Sequence, residues 1–190
     1  MPTRLMEILA AHVPEDASEA ASLETMKRFA TTLEQPLSRH QADAHFTASA
    51  LVIDERLGRV ALVHHAKLRR WLQPGGHAES EDNGLIHLTA LREAREETGC
   101  TVSLHPGAPS PLDVDVHLIP AHGGEPAHHH LDIRFLVVAQ DPEALTFNDN
   151  ESLAARWFTF AEALSLADEA PLQRLIRKGQ RTRANPATTR

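Results

Sequence analysis

A chain of 190 residues is long enough for one domain with appendages and for a substantial core. Its hydrophobic share of 42% and charged share of 24% are ordinary for a globular protein, and no apolar run approaches the roughly 20 residues that span a bilayer. The formal net charge of −7 argues against general affinity for nucleic acid or anionic membranes. The single cysteine, Cys100, excludes an internal disulfide framework and fits a reducing, cytoplasmic setting. The opening MPTRLMEILAAHVPEDASEA lacks the apolar region and small-residue cleavage site of a secretory signal.

In chain order, residues 1 to about 35 read as two helices, one with Leu5, Ile8 and Leu9 at helical spacing, the other with Leu23, Met26, Ala30 and Leu33. Pro14 separates them and Pro36 ends the second. So short a pair cannot bury its own core, and it is expected to pack on the following domain or on a partner subunit. From His45, HFTASALVID reads as a strand, ERLG as a turn and RVALVHH as a second strand. WLQPGG then breaks regularity. A helix follows from about Leu85 to Thr98, stopped by Gly99.

PLDVDVHLIPA alternates, with Asp113, Asp115 and His117 on one face and Val114, Val116 and Leu118 on the other. AHGGEPA is a turn, HHHLDIRFLVVA a further strand, and NDNESLAARWFTF a loop entering a short strand. FAEALSLADEAPLQRLIRK is helical, broken near Pro171. From Pro171 to Arg190 there are six Lys or Arg and no acidic residue, which reads as a solvated, fraying basic end. The expected organisation is a helical extension over 1–42, a mixed α/β domain over 43–176 and a basic tail over 177–190.

The chemistry concentrates in GGHAESEDNGLIHLTALREAREETG, Gly75 to Gly99. Glu93, Glu96 and Glu97 are spaced i, i+3 and i+4, so their carboxylates share one helical face. On bare sequence grounds this reads most simply as a solvated acidic face balanced by Arg92 and Arg95. Yet like charges so placed repel, and a helix C-terminus disfavours anions. Both penalties vanish if a cation binds. A hard divalent ion such as Mg²⁺ takes oxygen ligands at about 2.0–2.1 Å, usually shared with substrate phosphates. The glycine pair upstream lets backbone come close to that ion or to the substrate.

With Gly75-Gly76 and then Arg92-Glu93-Ala94-Arg95-Glu96-Glu97-Thr98-Gly99-Cys100, the stretch resembles the Nudix box, whose pattern is G, five residues, E, seven residues, then REUXEEXGU with U bulky and aliphatic. The helical half matches, with Ala94 and Cys100 at the U sites. The loop half departs: Asp82 stands where Glu is expected, with Glu81 beside it, and nine residues rather than seven precede Arg92. The GGH triplet is similar to a bacterial subgroup of that family. The resemblance covers roughly residues 43 to 170. It implies an α/β/α sandwich around a mixed sheet, and Mg²⁺- or Mn²⁺-dependent hydrolysis of a nucleoside diphosphate linked to some moiety X. It further implies that Glu93, Glu96 and Glu97 ligate metal together with the Gly75 carbonyl, and that Arg92 orients the acidic groups. Family members often draw a further acidic ligand or base from a late loop, and Glu151 in NDNE is the candidate here, with Asp149 as the fallback. His77, beside the metal site, is placed to contact phosphate; Trp71 reads equally as core or as a base-stacking platform.

In HHHLDIR, alternation puts His128, His130, Asp132 and Arg134 on one face. If this strand pairs with its sequence neighbour, Asp113, Asp115 and His117 join that face. Three readings stay open: a solvated sheet face, a substrate pocket, or a second metal site formed by His128, His130 and Asp132, since His-x-His-x-Asp suits Zn²⁺ or a similar ion. Two rival functions also stand beside hydrolysis. One is a nucleotide-sensing domain that does not cleave, although such domains commonly lose box glutamates. The other is an isomerase of isopentenyl diphosphate, for which Cys100 is wrongly placed. A homodimer through the N-terminal helices is compatible with any of these.

Overall fold

The computed structural model describes residues 2–121, 124, 126–148 and 152–184. Two helices lead, α1 (Pro2–Ala11) and α2 (Ala17–Thr32), and the side chain of Asp16 caps α2 by accepting from the Glu19 amide. Five strands, β1 (Ala44–Asp54), β2 (Arg59–His65), β3 (Trp71–Leu72), β4 (Gly75–His77) and β5 (Val102–Leu104), follow, with α3 (Ile86–Thr98) between β4 and β5. Then come β6 (Asp113–Ile119), β7 (His128–Ala139), β8 (Ser152–Thr159), α4 (Phe160–Leu166) and α5 (Ala170–Ala184).

The eight strands form one mixed sheet. At its centre β1 and β7 run parallel, registered from Ala44 opposite His129 to Ile53 opposite Val138. On its other edge β1 is shared: β4 pairs with its first half and β2 with its last residues, both antiparallel. β6 and β5 divide the far edge of β7 in the same way.

Strand alternation sorts the core into two layers. Phe46, Ala48, Ala50 and Val52 of β1, with Leu131, Ile133, Phe135 and Val137 of β7, pack beneath α3 and the α1–α2 pair. Leu51, Ile53, Leu136 and Val138 face the opposite way, beneath α4 and α5. The result is the expected α/β/α arrangement. Leu5, Leu9, Leu23 and Met26 are buried in the first of these cores, so the N-terminal helices pack on the sheet domain of the same chain.

Two regions differ from the sequence expectation. GGH, expected as irregular, is the strand β4. The basic end is also no frayed tail up to residue 184, because α5 runs through it and buries Arg174 and Lys178. Both cations are drawn in by acidic partners that lie far away in sequence, described below.

Candidate active site

Helix α3 ends where the sequence places it, with Gly99 left-handed at φ 68° and its amide donating to the Arg95 carbonyl. Glu93 and Glu97 lie on its buried side and Glu96 on its exposed side. The neighbouring backbone is β4, and its two-residue alternation explains why two glycines are needed. Gly76 faces α3, where a Cβ would stand 2.5 Å from a Glu93 carboxylate oxygen. Gly75 faces the other way, where a Cβ would stand 2.4 Å from the Ser49 Cβ. In addition, the Gly75 amide donates to Glu97 at 3.2 Å. The glycine pair therefore lets helix carboxylates and strand backbone come together.

Arg92 organises the rest. Its guanidinium donates to Glu93 at 2.9 Å, to Glu96 at 3.1 Å, to the His77 carbonyl at 2.7 Å and to both oxygens of Asp82 at 3.1 and 3.2 Å. The Asp82 carboxylate also accepts from Thr89 Oγ1 and from the Glu79 amide, both at 2.9 Å. Burial pushes the Asp82 carboxyl up, but Arg92, the Glu79 amide and Thr89 outweigh it and hold the group below its ordinary value. Asp82 thus sits at 3% exposure as the anchor of Arg92, while Glu81 is exposed and 3.7 Å from the same arginine. The longer loop is absorbed by a short 3-10 turn over Ser80–Asp82, followed by Asn83 and Gly84 in the left-handed region.

The three glutamates open on a cavity of about 680 Å³, which Gly75, Gly76, His77, Thr47, Ser49, His117, His130 and Asp132 also line. Among the described residues, Trp71, His128 and Arg134 are not part of its wall. Trp71 packs edge-on against Phe158 at 4.9 Å in the second core, so of its two readings the structure supports core. Glu151 and Asp149 lie outside the described residues; Ser152, next in the chain, lines the cavity.

The polar faces of β6 and β7 do coincide, pairing Asp113 with Arg134, Asp115 with Asp132 and His117 with His130. The outcome is not a solvated face. Arg134, 4% exposed, donates to Asp132 at 2.9 Å, Asp115 at 3.1 Å and Asp113 at 3.3 Å. Arg174 from α5 adds a two-point contact to Asp113, at 2.7 and 3.0 Å. Lys178 bridges Asp113 at 3.2 Å and the fully buried Glu19 of α2 at 2.5 Å. Arg134, expected to meet substrate, is instead consumed by three aspartates. Asp132, expected beside His128 and His130 as a ligand, accepts from Ser49 at 2.8 Å as well as from Arg134.

His45 is the residue the sequence reading missed. It stands opposite His130 in the parallel register, and its ring lies 4.8–5.0 Å from those of His77, His128 and His130. Burial, helped by the neighbouring His45, holds the His77 imidazole at about 4. Burial and the rings of His77, His117, His45 and His128 hold His130 at about 2. Both are therefore neutral near pH 7. One signal was available: in HFTASALVID, His45, Thr47 and Ser49 are polar at alternate positions of an otherwise apolar strand.

A helix with clustered carboxylates, docked on a glycine-rich strand of a mixed α/β sandwich, defines a class of protein that comparison identifies. The NUDIX domain profile matches residues 43–178, and the chain belongs to the Nudix hydrolase family. A Lactococcus lactis subsp. cremoris (strain MG1363) protein named "Probable DHNTP pyrophosphohydrolase" is 33% identical over 104 residues, 54% of this chain; the match spans only 58% of that protein's length. The fold is similar to that of a C. elegans Ap4A hydrolase, with a TM-score of 0.57 at 19% identity, covering 74% of this chain and 98% of that one. It is likewise similar to the E. coli dihydroneopterin triphosphate pyrophosphohydrolase, with a TM-score of 0.51 at 16% identity, covering 70% and 92%.

Proposed function

We propose that this chain is a divalent-metal-dependent pyrophosphohydrolase that cleaves the diphosphate linkage of a nucleoside diphosphate joined to a moiety X, or of a closely related pterin triphosphate. The observation that carries the reading is the convergence of Glu93, Glu96 and Glu97 on one cavity beside Gly75 and Gly76. The donor set fits a hard cation: it is made of carboxylate oxygens, and the space a Cβ at Gly76 would fill is the space Glu93 occupies. Glu93, Glu96 and Glu97 would hold Mg²⁺ or Mn²⁺, with the Gly75 carbonyl as a further oxygen donor. Such an ion supplies charge neutralisation of the diphosphate and polarisation of a phosphorus–oxygen bond.

The chain's own residues set up that chemistry. Arg92 fixes Glu93 and Glu96, and Asp82 holds Arg92 in place from behind. The Gly75 amide fixes one oxygen of Glu97. His77 and His130, on the opposite wall, offer neutral imidazoles to the phosphates or to X. Glu151 is the proposed general base, supported by the position of its neighbour Ser152 in the cavity wall; it must come within about 2.6–3.2 Å of the attacking water. A family relationship to a protein named for DHNTP adds the pterin triphosphate to the substrates worth testing.

The test is a hydrolysis panel with Mg²⁺ or Mn²⁺ over nucleoside triphosphates, dihydroneopterin triphosphate, dinucleoside polyphosphates, nucleotide sugars, ADP-ribose, NADH and coenzyme A. Turnover of at least one compound, abolished by a chelator and restored by the ion, is the expected result. A folded chain inert on the whole panel would overturn the reading.

A further inference from the structure

Imidazoles converge where the leading ends of β1 and β7 meet β4. Three separate registers build this cluster. The parallel pairing sets His45 beside His130, the two-residue repeat of β7 puts His128 on the same face, and the antiparallel pairing of β4 brings His77 opposite Thr47. The rings of His77 and His128 lie 5.0 and 5.3 Å from that of His130. One nitrogen from each of His45, His128 and His130 lies within 4.8 Å of the other two, and His45 is 1% exposed.

Packing for its own sake does not call for this composition. A strand interior of Val or Ile would fill the same space without burying polar nitrogens, each of which costs free energy to take out of water. The hydrogen bond of His128 is informative in its own right. Its Nδ1 lies 2.9 Å from the Pro126 carbonyl. A carbonyl only accepts, so Nδ1 donates here and Nε2 is the nitrogen left to ligate a metal. This is the arrangement by which backbone carbonyls orient metal-ligating histidines.

We infer that His45, His128 and His130 form a binding site for a borderline divalent cation of the Zn²⁺ class, with the fourth position on the side of His77 and the cavity. Imidazole nitrogens select such ions, whereas the carboxylates of α3 select Mg²⁺ or Mn²⁺. The histidine cluster, which reaches the cavity through His130, and the α3 carboxylates would thus take different metals. A tetrahedral zinc with bonds of about 2.0–2.1 Å sets its ligand nitrogens about 3.4 Å apart, inside the 4.8 Å that bounds these three. The site ties the leading ends of β1 and β7 together, and it does not depend on the hydrolase reading.

The experiment uses the full chain, stripped of metal and equilibrated with Zn²⁺, and with Co²⁺ as a spectroscopic probe. Three results are expected. Wild-type chain binds one equivalent of zinc, which survives in Glu93→Gln/Glu97→Gln; a His128→Ala/His130→Ala variant loses more than about tenfold in affinity; and zinc raises the melting temperature of the wild type but not of the histidine variant. X-ray absorption on the wild-type zinc adduct keeps the inference open to refutation should that variant fail to fold: at least three imidazoles around the metal are required. A wild type that binds no stoichiometric zinc overturns the inference. So does a carboxylate-dominated shell, or zinc lost with the glutamates and retained without His128 and His130.

Discussion

Two arginines gather carboxylates in this protein, and their surroundings differ in one decisive respect. Arg92 faces Asp82, Glu93 and Glu96, and the Gly75 amide donates to Glu97 beside them. Arg134 faces Asp113, Asp115 and Asp132, but α5 sends in Arg174 and Lys178, which also neutralise Glu19. Three carboxylates of the first group, Glu93, Glu96 and Glu97, line a cavity. The second is near balance and almost wholly buried. A buried charge that is matched is structural; carboxylates clustered on a cavity wall are candidates to hold a ligand. The same residue types thus serve two ends, one buried among cations from α5 and one lining a cavity.

Each side of that contrast can be attacked separately. The largest effect should come from Glu97→Gln, which keeps shape and removes charge: turnover on the substrate the panel identifies should fall by about 10²–10³-fold, the scale of losing one electrostatic anchor. The melting temperature should hardly move. Arg134→Met should do the reverse, costing about 3–5 kcal/mol of stability by denaturant titration, because it strands buried aspartates. An Arg134→Met protein as stable as the wild type would break the distinction.

Glu19 gives a pH handle on the buried side. Burial pushes its carboxyl up, but His12, the Glu15 amide and Lys178 outweigh this and hold it well below its ordinary 4.5. The unfolded chain therefore takes up that proton first, so the group's contribution is complete above about pH 4.5 and is lost progressively below it. The gap in melting temperature between wild type and Glu19→Gln should be widest at pH 7, smaller at pH 3.5 and still closing at lower pH. A gap that is constant with pH would remove the ion pair from the account. The smallest effect expected is that of Gly76→Ala. Its Cβ would displace the Glu93 carboxylate, a flexible group, so metal affinity should drop about 10-fold, the lower end for a misplaced ligand, with little loss of stability.

Much of this was legible from residue order. Helix α3, its glycine stop, the shared face of its glutamates and the polar face of β6 and β7 all follow from local periodicity, which a single sequence carries. What escaped depends on pairing at long range. GGH reads as a break because glycines have poor strand propensity, yet it is held as β4 by hydrogen bonds to β1. Arg134 and Asp132 look like ligands until α5 and Ser49 are seen to meet their cluster. His45 is one residue in an apolar strand, and only the parallel register with β7 brings it to His130. Asp82, out of pattern as a ligand, is in place as the partner of Arg92.

The central claim is that the α3 carboxylates hold a hard cation. Calorimetric titration of Mn²⁺ into wild-type chain and into Glu93→Gln/Glu97→Gln, at one pH and ionic strength, tests it most directly. The account predicts saturable binding by the wild type and its loss in the double variant, whose melting temperature is retained. Equal Mn²⁺ affinity in the two proteins would contradict it.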